Sequence, residues 1–288
     1  MKNSPFYSLL PKLFFCVFLL FLTIFKVQAQ PIVNITVEPN VWGVANTVDI
    51  QKVLESAATE LFSDVKAVSN ISILVKPSKD GVPRTLFTKG PNGEFIVLLA
   101  TKDRYWSQYS YQFSHELNHV LSMNKADSQT ANQWFEEALG ETASMFALRK
   151  MAISWKTNAP YPNWNSYSAS LSQYVEDLIA KDERKLPPNQ TLVQWFTENE
   201  KSMRIDPYQR QKDALVANQL LTYFEDYPAG WDAVTYINQT KPTDGQTFQE
   251  YLENWFNDAP EKHQDFIKKI ANLFEIKVNC HSINLKKM

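Results

Sequence analysis

The sequence is poor in cysteine, with two in 288 residues. One of them, Cys16, lies in an apolar run at the N-terminus, and if that segment is removed on export Cys280 is left alone. No internal disulfide could then form. An excess of positive charge is also missing. Without the N-terminal segment and its Lys2, Lys12 and Lys26, 26 basic residues face 31 acidic ones, a formal charge of −5. Nucleic acid and anionic membrane surfaces both select for basic patches, so neither is an expected partner. No internal repeat or low-complexity segment occurs. The longest apolar run, Leu13 to Phe25, falls short of the roughly 20 residues that a membrane-spanning helix needs. Histidine is scarce, with four in the whole chain, so the position of each one carries information.

Residues 1–29 read as a secretory signal peptide, with an uncleaved membrane anchor as the alternative. Lys2 and Lys12 precede the apolar run, and Val27-Gln-Ala29 offers small residues at the cleavage positions, so the mature chain is expected to begin at Gln30 in a secreted or periplasmic protein. Cys16 lacks the preceding small residues of a lipidation site. Sequons at Asn34, Asn70, Asn189 and Asn238 would matter only in a eukaryotic secretory pathway.

The remainder is long enough for a sizeable core in one compact unit of two subdomains. Ile32 to Glu38 and Ile71 to Val75 alternate as strands around a helix, Val48 to Phe62, whose apolar residues Ile50, Val53, Leu54, Ala57, Ala58 and Leu61 share one face. Arg84 to Phe87 and Glu94 to Ala100 flank the turn Gly90-Pro-Asn-Gly93 as a hairpin. After a loop at Thr157-Asn-Ala-Pro-Tyr-Pro-Asn-Trp164 the pattern is helical: Ser166 to Ala180, Leu192 to Asn199, Tyr208 to Glu225, Trp231 to Asn238, Thr247 to Phe256 and Lys262 to Phe274. Residues 276–288 read as a tail. The expected fold class is α+β, with a mixed-sheet subdomain over 30–127 followed by a mostly α-helical one over 128–275.

Tyr111-Gln-Phe-Ser-His-Glu-Leu-Asn-His-Val-Leu121 has helical character and contains His115, Glu116 and His119 in the order H-E-x-x-H. Residues four apart on a helix lie on one face, so the two imidazoles can share an ion. Zinc sites of this kind take two histidines and one further ligand, and leave the fourth position to a water on which the glutamate acts. Trp134-Phe-Glu-Glu-Ala-Leu-Gly-Glu141 supplies Glu137 and Glu141 on a second helical pattern running to about Lys150. With the first helix ending near Met123 and the second starting near Gln129, an antiparallel pair sets Glu137 level with the histidines. Glu141 then falls one turn further on, where it can accept from the outer imidazole N–H. The bland alternative is an exposed helix whose His, Glu and Asn face water.

These two segments together resemble the gluzincin clan of zinc metallopeptidases, the group of thermolysin and the alanyl-aminopeptidase-like enzymes. The resemblance implies a zincin-like fold, Zn²⁺ held by His115, His119 and Glu137, Glu116 as catalytic base and Glu141 as a partner behind the ligands. Seventeen residues separate His119 from Glu137, slightly fewer than in the best-known members, so a tight connection is expected. Metzincins are excluded, since Ser122 and Lys125 stand where their Gly and His would be. The resemblance further implies an oxyanion donor from the helical half. Tyr208 is the first candidate, ahead of Tyr111 and Tyr161, while His263, among Glu261, Lys262 and Gln264, reads as a solvated surface residue and His281 as part of the tail. The strand before the active helix, 94–100 or its neighbour, would pair with an extended peptide or protein substrate. Aminopeptidases of the clan carry a G-x-M-E-N segment upstream of the zinc helix, and none occurs here, which favours an endopeptidase. A catalytically silent binding or scaffold protein of the same fold is the alternative, and the intact Glu116 argues against it.

Overall fold

The computed structural model describes residues 33–122, 131–243 and 245–279. The signal-peptide reading, Cys16, Cys280, His281 and the expected helix limits at Met123 and Gln129 lie outside the described residues. Among the described residues no helix is long and apolar enough to cross a membrane.

The fold is α+β, with one small mixed sheet and a larger helical part. β1 (Val33–Val37), α1 (Thr47–Leu61) and β2 (Ile71–Pro77) form a strand-helix-strand unit whose strands pair in parallel, Val33 opposite Ile71. α1 starts where Asn46 caps it, its side chain accepting from the Val48 amide at 2.9 Å, and its expected apolar face is buried. β3 (Arg84–Leu86) and β4 (Phe95–Leu99) form the antiparallel hairpin. β4 then inserts beside β2, giving the order β1-β2-β4-β3. Of the two strands considered for the sheet edge, the short β3 therefore holds it and β4 is interior.

α2 (Trp106–Leu121) packs on α1 and the sheet, and α3 (Gln133–Asn158) packs along α2. α2 ends at Leu121 and α3 begins at Gln133, inside the expected limits. α3 also continues past Lys150, because Met151, Ala152 and Trp155 stay buried and the Trp155 indole donates to Ser56 Oγ at 2.6 Å. Around α3 lie α4 (Ser168–Ile179), α5 (Leu192–Ile205), α6 (Arg210–Asp226), α7 (Gly230–Val234) and α8 (Phe248–Asp258), with α9 (Glu261–Asn272) packed on α7 and α8. α5 and α8 open with capping boxes, Thr191 with Gln194 and Thr247 with Glu250. α6 begins two residues later than its periodicity suggests. Asp206 Oδ1 accepts from the Tyr208 amide at 3.1 Å, which makes 206–208 a turn leading into the helix. Buried apolar residues from the sheet and from the helical half form one contiguous core.

His263 corrects the expectation of a surface residue. It is fully buried, with Nε2 2.9 Å from Asp232 Oδ2 and Nδ1 3.2 Å from the Tyr227 hydroxyl. Its neighbours in sequence are polar, but Phe266, Ile267 and Ile270 stand three, four and seven residues on and share its apolar face. Asp232 also accepts from the amides of Lys66 and Ala67 at 2.6 and 2.7 Å and from Lys262 Nζ at 2.8 Å. These bonds fasten the segment after α1 to α7 and α9, and they hold the Asp232 carboxyl well below its ordinary range despite burial. Replacing Asp232 by Ala removes the acceptor shared by His263 and the Lys66 and Ala67 amides, and by the exposed Lys262 ammonium. Equilibrium unfolding should show a loss of about 3–5 kcal/mol, as for a broken buried pair; a loss below about 1 kcal/mol would mean that the cluster is incidental.

Candidate metal centre and its cleft

Two side chains fix the register of α2 against α3. Asn118, within the H-E-x-x-H segment, is fully buried and donates from Nδ2 to the Glu136 carbonyl at 3.1 Å, one residue before Glu137. About two turns further along, Ser144 Oγ donates to the Tyr111 carbonyl at 2.7 Å. The expectation of a water-facing Asn therefore fails, and the bond explains why a polar residue belongs at that position. Behind it Glu136 is buried with Ser122 and Tyr251 as hydrogen-bond donors. Burial pushes its carboxyl up to about 7.

This register brings the three expected ligands together. His115 Nε2 lies 3.2 Å from Glu137 Oε2, and His119 Nε2 lies 3.6 Å from Glu137 Oε1. The two imidazole centroids are 5.1 Å apart, and one donor atom from each of the three residues falls within 4.8 Å of the others. Donors about 2.0–2.1 Å from a tetrahedral zinc ion are spaced by about 3.4 Å. The separations of 3.2 and 3.6 Å, which run to different oxygens of Glu137, lie on both sides of that value, and the three donors stay within 4.8 Å of one another, so two imidazoles and a carboxylate here form a group that could hold an ion. Burial opposes the charged form of His115, but the bond to Glu137 and the charges of Glu137, Glu116 and Glu141 prevail and raise its pKa to about 9. Glu137 is displaced the other way, below its ordinary value, because His119 and His115 outweigh its burial.

Close approach of the helices depends on Gly140. A Cβ at this position would stand 2.9 Å from Cε1 and Nε2 of His115, inside van der Waals contact. A mid-helix glycine costs roughly 1 kcal/mol relative to alanine, and here it leaves the ring its place. Gly140→Ala should keep the fold and push the ring aside, lowering zinc affinity about 10–100-fold, the scale seen when ligand orientation is lost. Competition against a chelator measures this, and unchanged affinity would show that the ring has room to move.

Glu116 is almost fully buried, and Thr85 of β3 sets its orientation: Thr85 Oγ1 lies 3.0 Å from Glu116 Oε2 and 3.1 Å from its carbonyl. Glu141 differs from expectation in its partners. Its Oε2 is 3.9 Å from His115 Nδ1, too long for a hydrogen bond. Its Oε1 instead accepts from the Tyr111 hydroxyl and from Arg184 Nη2. Tyr111 is thereby committed and does not present a free hydroxyl. Tyr161 packs edge-on against Trp164 and is not part of the cleft lining. Tyr208 does line the cleft. It is half exposed, and its oxygen accepts from Gln133 Nε2 at 2.9 Å.

These groups border a cavity of about 850 Å³, edged by residues 81–87 around β3, by the α2 and α3 side chains just described, and by Tyr208, Arg210 and Asp213 near the start of α6. Sequence reasoning missed Thr85, Gln133, Arg184, Arg210 and Asp213, which reach the cleft only through tertiary packing. Asp213 is 4% exposed, and burial together with the charge of Glu137 pushes its carboxyl up to about 9. Comparison of the chain with protein-family models, curated proteins and solved structures gave no match.

Proposed function

We propose that the chain is a zinc-dependent peptidase on the gluzincin plan, secreted or periplasmic, that cleaves within peptide chains. The observation that supports this most is the spacing of the His115, His119 and Glu137 donor atoms beside a buried glutamate in a cleft bordered by a sheet edge. A mixed sheet leading into the motif helix, with the acidic helix packed along it, is in keeping with a zincin-like fold.

His115, His119 and Glu137 would hold the ion, which when bound supplies a Lewis acid and brings a water's pKa near neutrality. Glu116 takes the proton of the attacking water and returns it to the leaving amine. Thr85 keeps Oε2 of that base aimed. Glu141, anchored by Tyr111 and Arg184, places negative charge behind the His115 ring. Because the Tyr208 oxygen already accepts from Gln133, its own proton is free to be donated to the substrate carbonyl oxygen as that atom gains charge. Burial and the nearby negative charge of Glu137 raise the phenol pKa, so Tyr208 keeps this proton at neutral pH. The edge strand β3 can pair with an extended substrate, and this geometry, with no G-x-M-E-N segment upstream, supports endopeptidase action.

Metal content of purified residues 30–288, measured beside cleavage of a mixed peptide library, tests the proposal. One zinc per chain together with cleavage inside peptides supports it. Zinc without cleavage would favour the catalytically silent binding protein, and absence of metal would sink both readings.

A further inference from the structure

We infer that Asp213 binds an ammonium group of the substrate, the α-amine of a peptide N-terminus or the ε-amine of a lysine next to the scissile bond. The inference rests on the peptidase reading of the cleft and names the peptides it would take.

The other carboxylates of the cleft have donors or a basic partner. Glu116 faces Thr85, Glu137 faces His115, and Glu141 takes Tyr111 and Arg184. Asp213 lines the same cavity, yet its Oδ1 is fully buried and accepts no hydrogen bond from any described residue. In the empty cleft, burial without a donor leaves this carboxyl protonated at neutral pH, and an arriving ammonium lets it ionise by supplying both the donors and the opposite charge. Asp232, the acid that fastens the core, shows the contrast: it is just as buried and fully supplied with donors.

A second atom points to the same chemistry. Gln133 Oε1, also in the cleft lining, is buried and without a donor. Both orphaned polar atoms of the cleft, among the described residues, are thus acceptors. A ligand group with several donors and no acceptor suits them, and an ammonium offers three donors on a compact centre. Arg210 lies one turn before Asp213 and lines the cleft, but its side chain is exposed and no ion pair joins the two among the described residues. Glu137, Glu141 and Asp206 act on Asp213 with negative charge and His115 with the opposite effect.

The test uses zinc-loaded Glu116→Gln protein, whose turnover is expected to be about 10²–10⁴-fold slower and so negligible during a titration, and calorimetric binding of four probes. These are alanyl-alanine amide, its N-acetyl form, N-acetyl-lysyl-alanine amide, and N-acetyl-norleucyl-alanine amide as the uncharged match for lysine. One amine-bearing probe should bind at least tenfold more tightly than its uncharged counterpart. Preference for the free α-amine would make the enzyme an exopeptidase acting at N-termini, and preference for lysine would make it an endopeptidase. Adding Asp213→Asn, which conserves shape, should bring each pair within twofold, whereas Arg210→Met should leave the preference in place.

Equal binding of charged and uncharged probes would overturn the inference, and this comparison needs no change at Asp213. Preference that survives Asp213→Asn would also overturn it, since the metal would then be holding the amine. So would its loss in Arg210→Met, because Asp213 would then serve only to hold that arginine. If the probes are discriminated but the unaltered chain cleaves no peptide, the ammonium site stands and the peptidase reading falls. Equal cleavage of lysine, norleucine and N-acetylated substrates would have the reverse meaning.

Discussion

Glu116→Gln protein should still carry one zinc per chain while hydrolysing peptides about 10²–10⁴-fold more slowly, the range expected for loss of a general base. Glutamine has the shape of glutamate and keeps an oxygen for the Thr85 hydroxyl, which lies 3.0 Å from Glu116 Oε2. The change therefore removes basicity and little else. The metal should remain because Glu116 is not one of the three residues whose donor atoms converge. Steady-state cleavage assays with metal analysis on the same sample decide the matter. Activity within a fewfold of the parent would remove Glu116 from the mechanism, and loss of metal along with activity would make it a ligand.

Loss of a ligand should have the other large effect. Glu137→Gln leaves the histidines in place but withdraws the charged oxygens 3.2 and 3.6 Å from their Nε2 atoms. Zinc affinity at neutral pH should fall about 100-fold or more, at or beyond the upper end of what disturbing an outer partner costs. A pH signature accompanies it. In the metal-free chain His115 holds its proton up to about pH 9, with Glu137 supplying the bond and much of the charge that keep it there. Zinc requires the neutral ring, so binding must expel that proton. Affinity should therefore weaken about tenfold for each unit that the pH falls below this value. In Glu137→Gln the proton leaves more readily, and the dependence should flatten at the alkaline end. Chelator competition between about pH 6.5 and pH 8.5 reads both effects. A pH-independent affinity in the parent would mean that the imidazole carries no proton to displace.

The parts of this molecule that were legible in the sequence are those set by local periodicity. The i, i+4 spacing of His115 and His119 fixed their common face, the apolar positions of α1 gave its buried side, and Gly90-Pro-Asn-Gly93 marked the hairpin. Glu137 was reachable because two antiparallel helices turn a count along the chain into a height along an axis. That count tolerated an error in both helix limits, since the early end of α2 and the late start of α3 shift the connection without changing the register that Asn118 sets. Thr85, Arg184 and Asp213 were not legible, because they meet the cleft through packing of segments remote in sequence. His263 is a different case. Its apolar companions at 266, 267 and 270 were visible, but the polar residues on either side of it concealed the face to which it belongs.

Helix α3 is buried on every side from Ala138 to Leu148, as a helix at the centre of a core must be, and it presents Glu137 to the cleft one residue before that stretch. Its backbone amides can meet solvent only when the whole molecule opens, so hydrogen exchange along 138–148 should run at the rate of global unfolding. Ion binding to the folded chain alone adds its free energy to that opening. Deuterium uptake in the buried stretch of α3 would thus record occupancy of the cleft, slowing as the site fills and quickening as a chelator empties it.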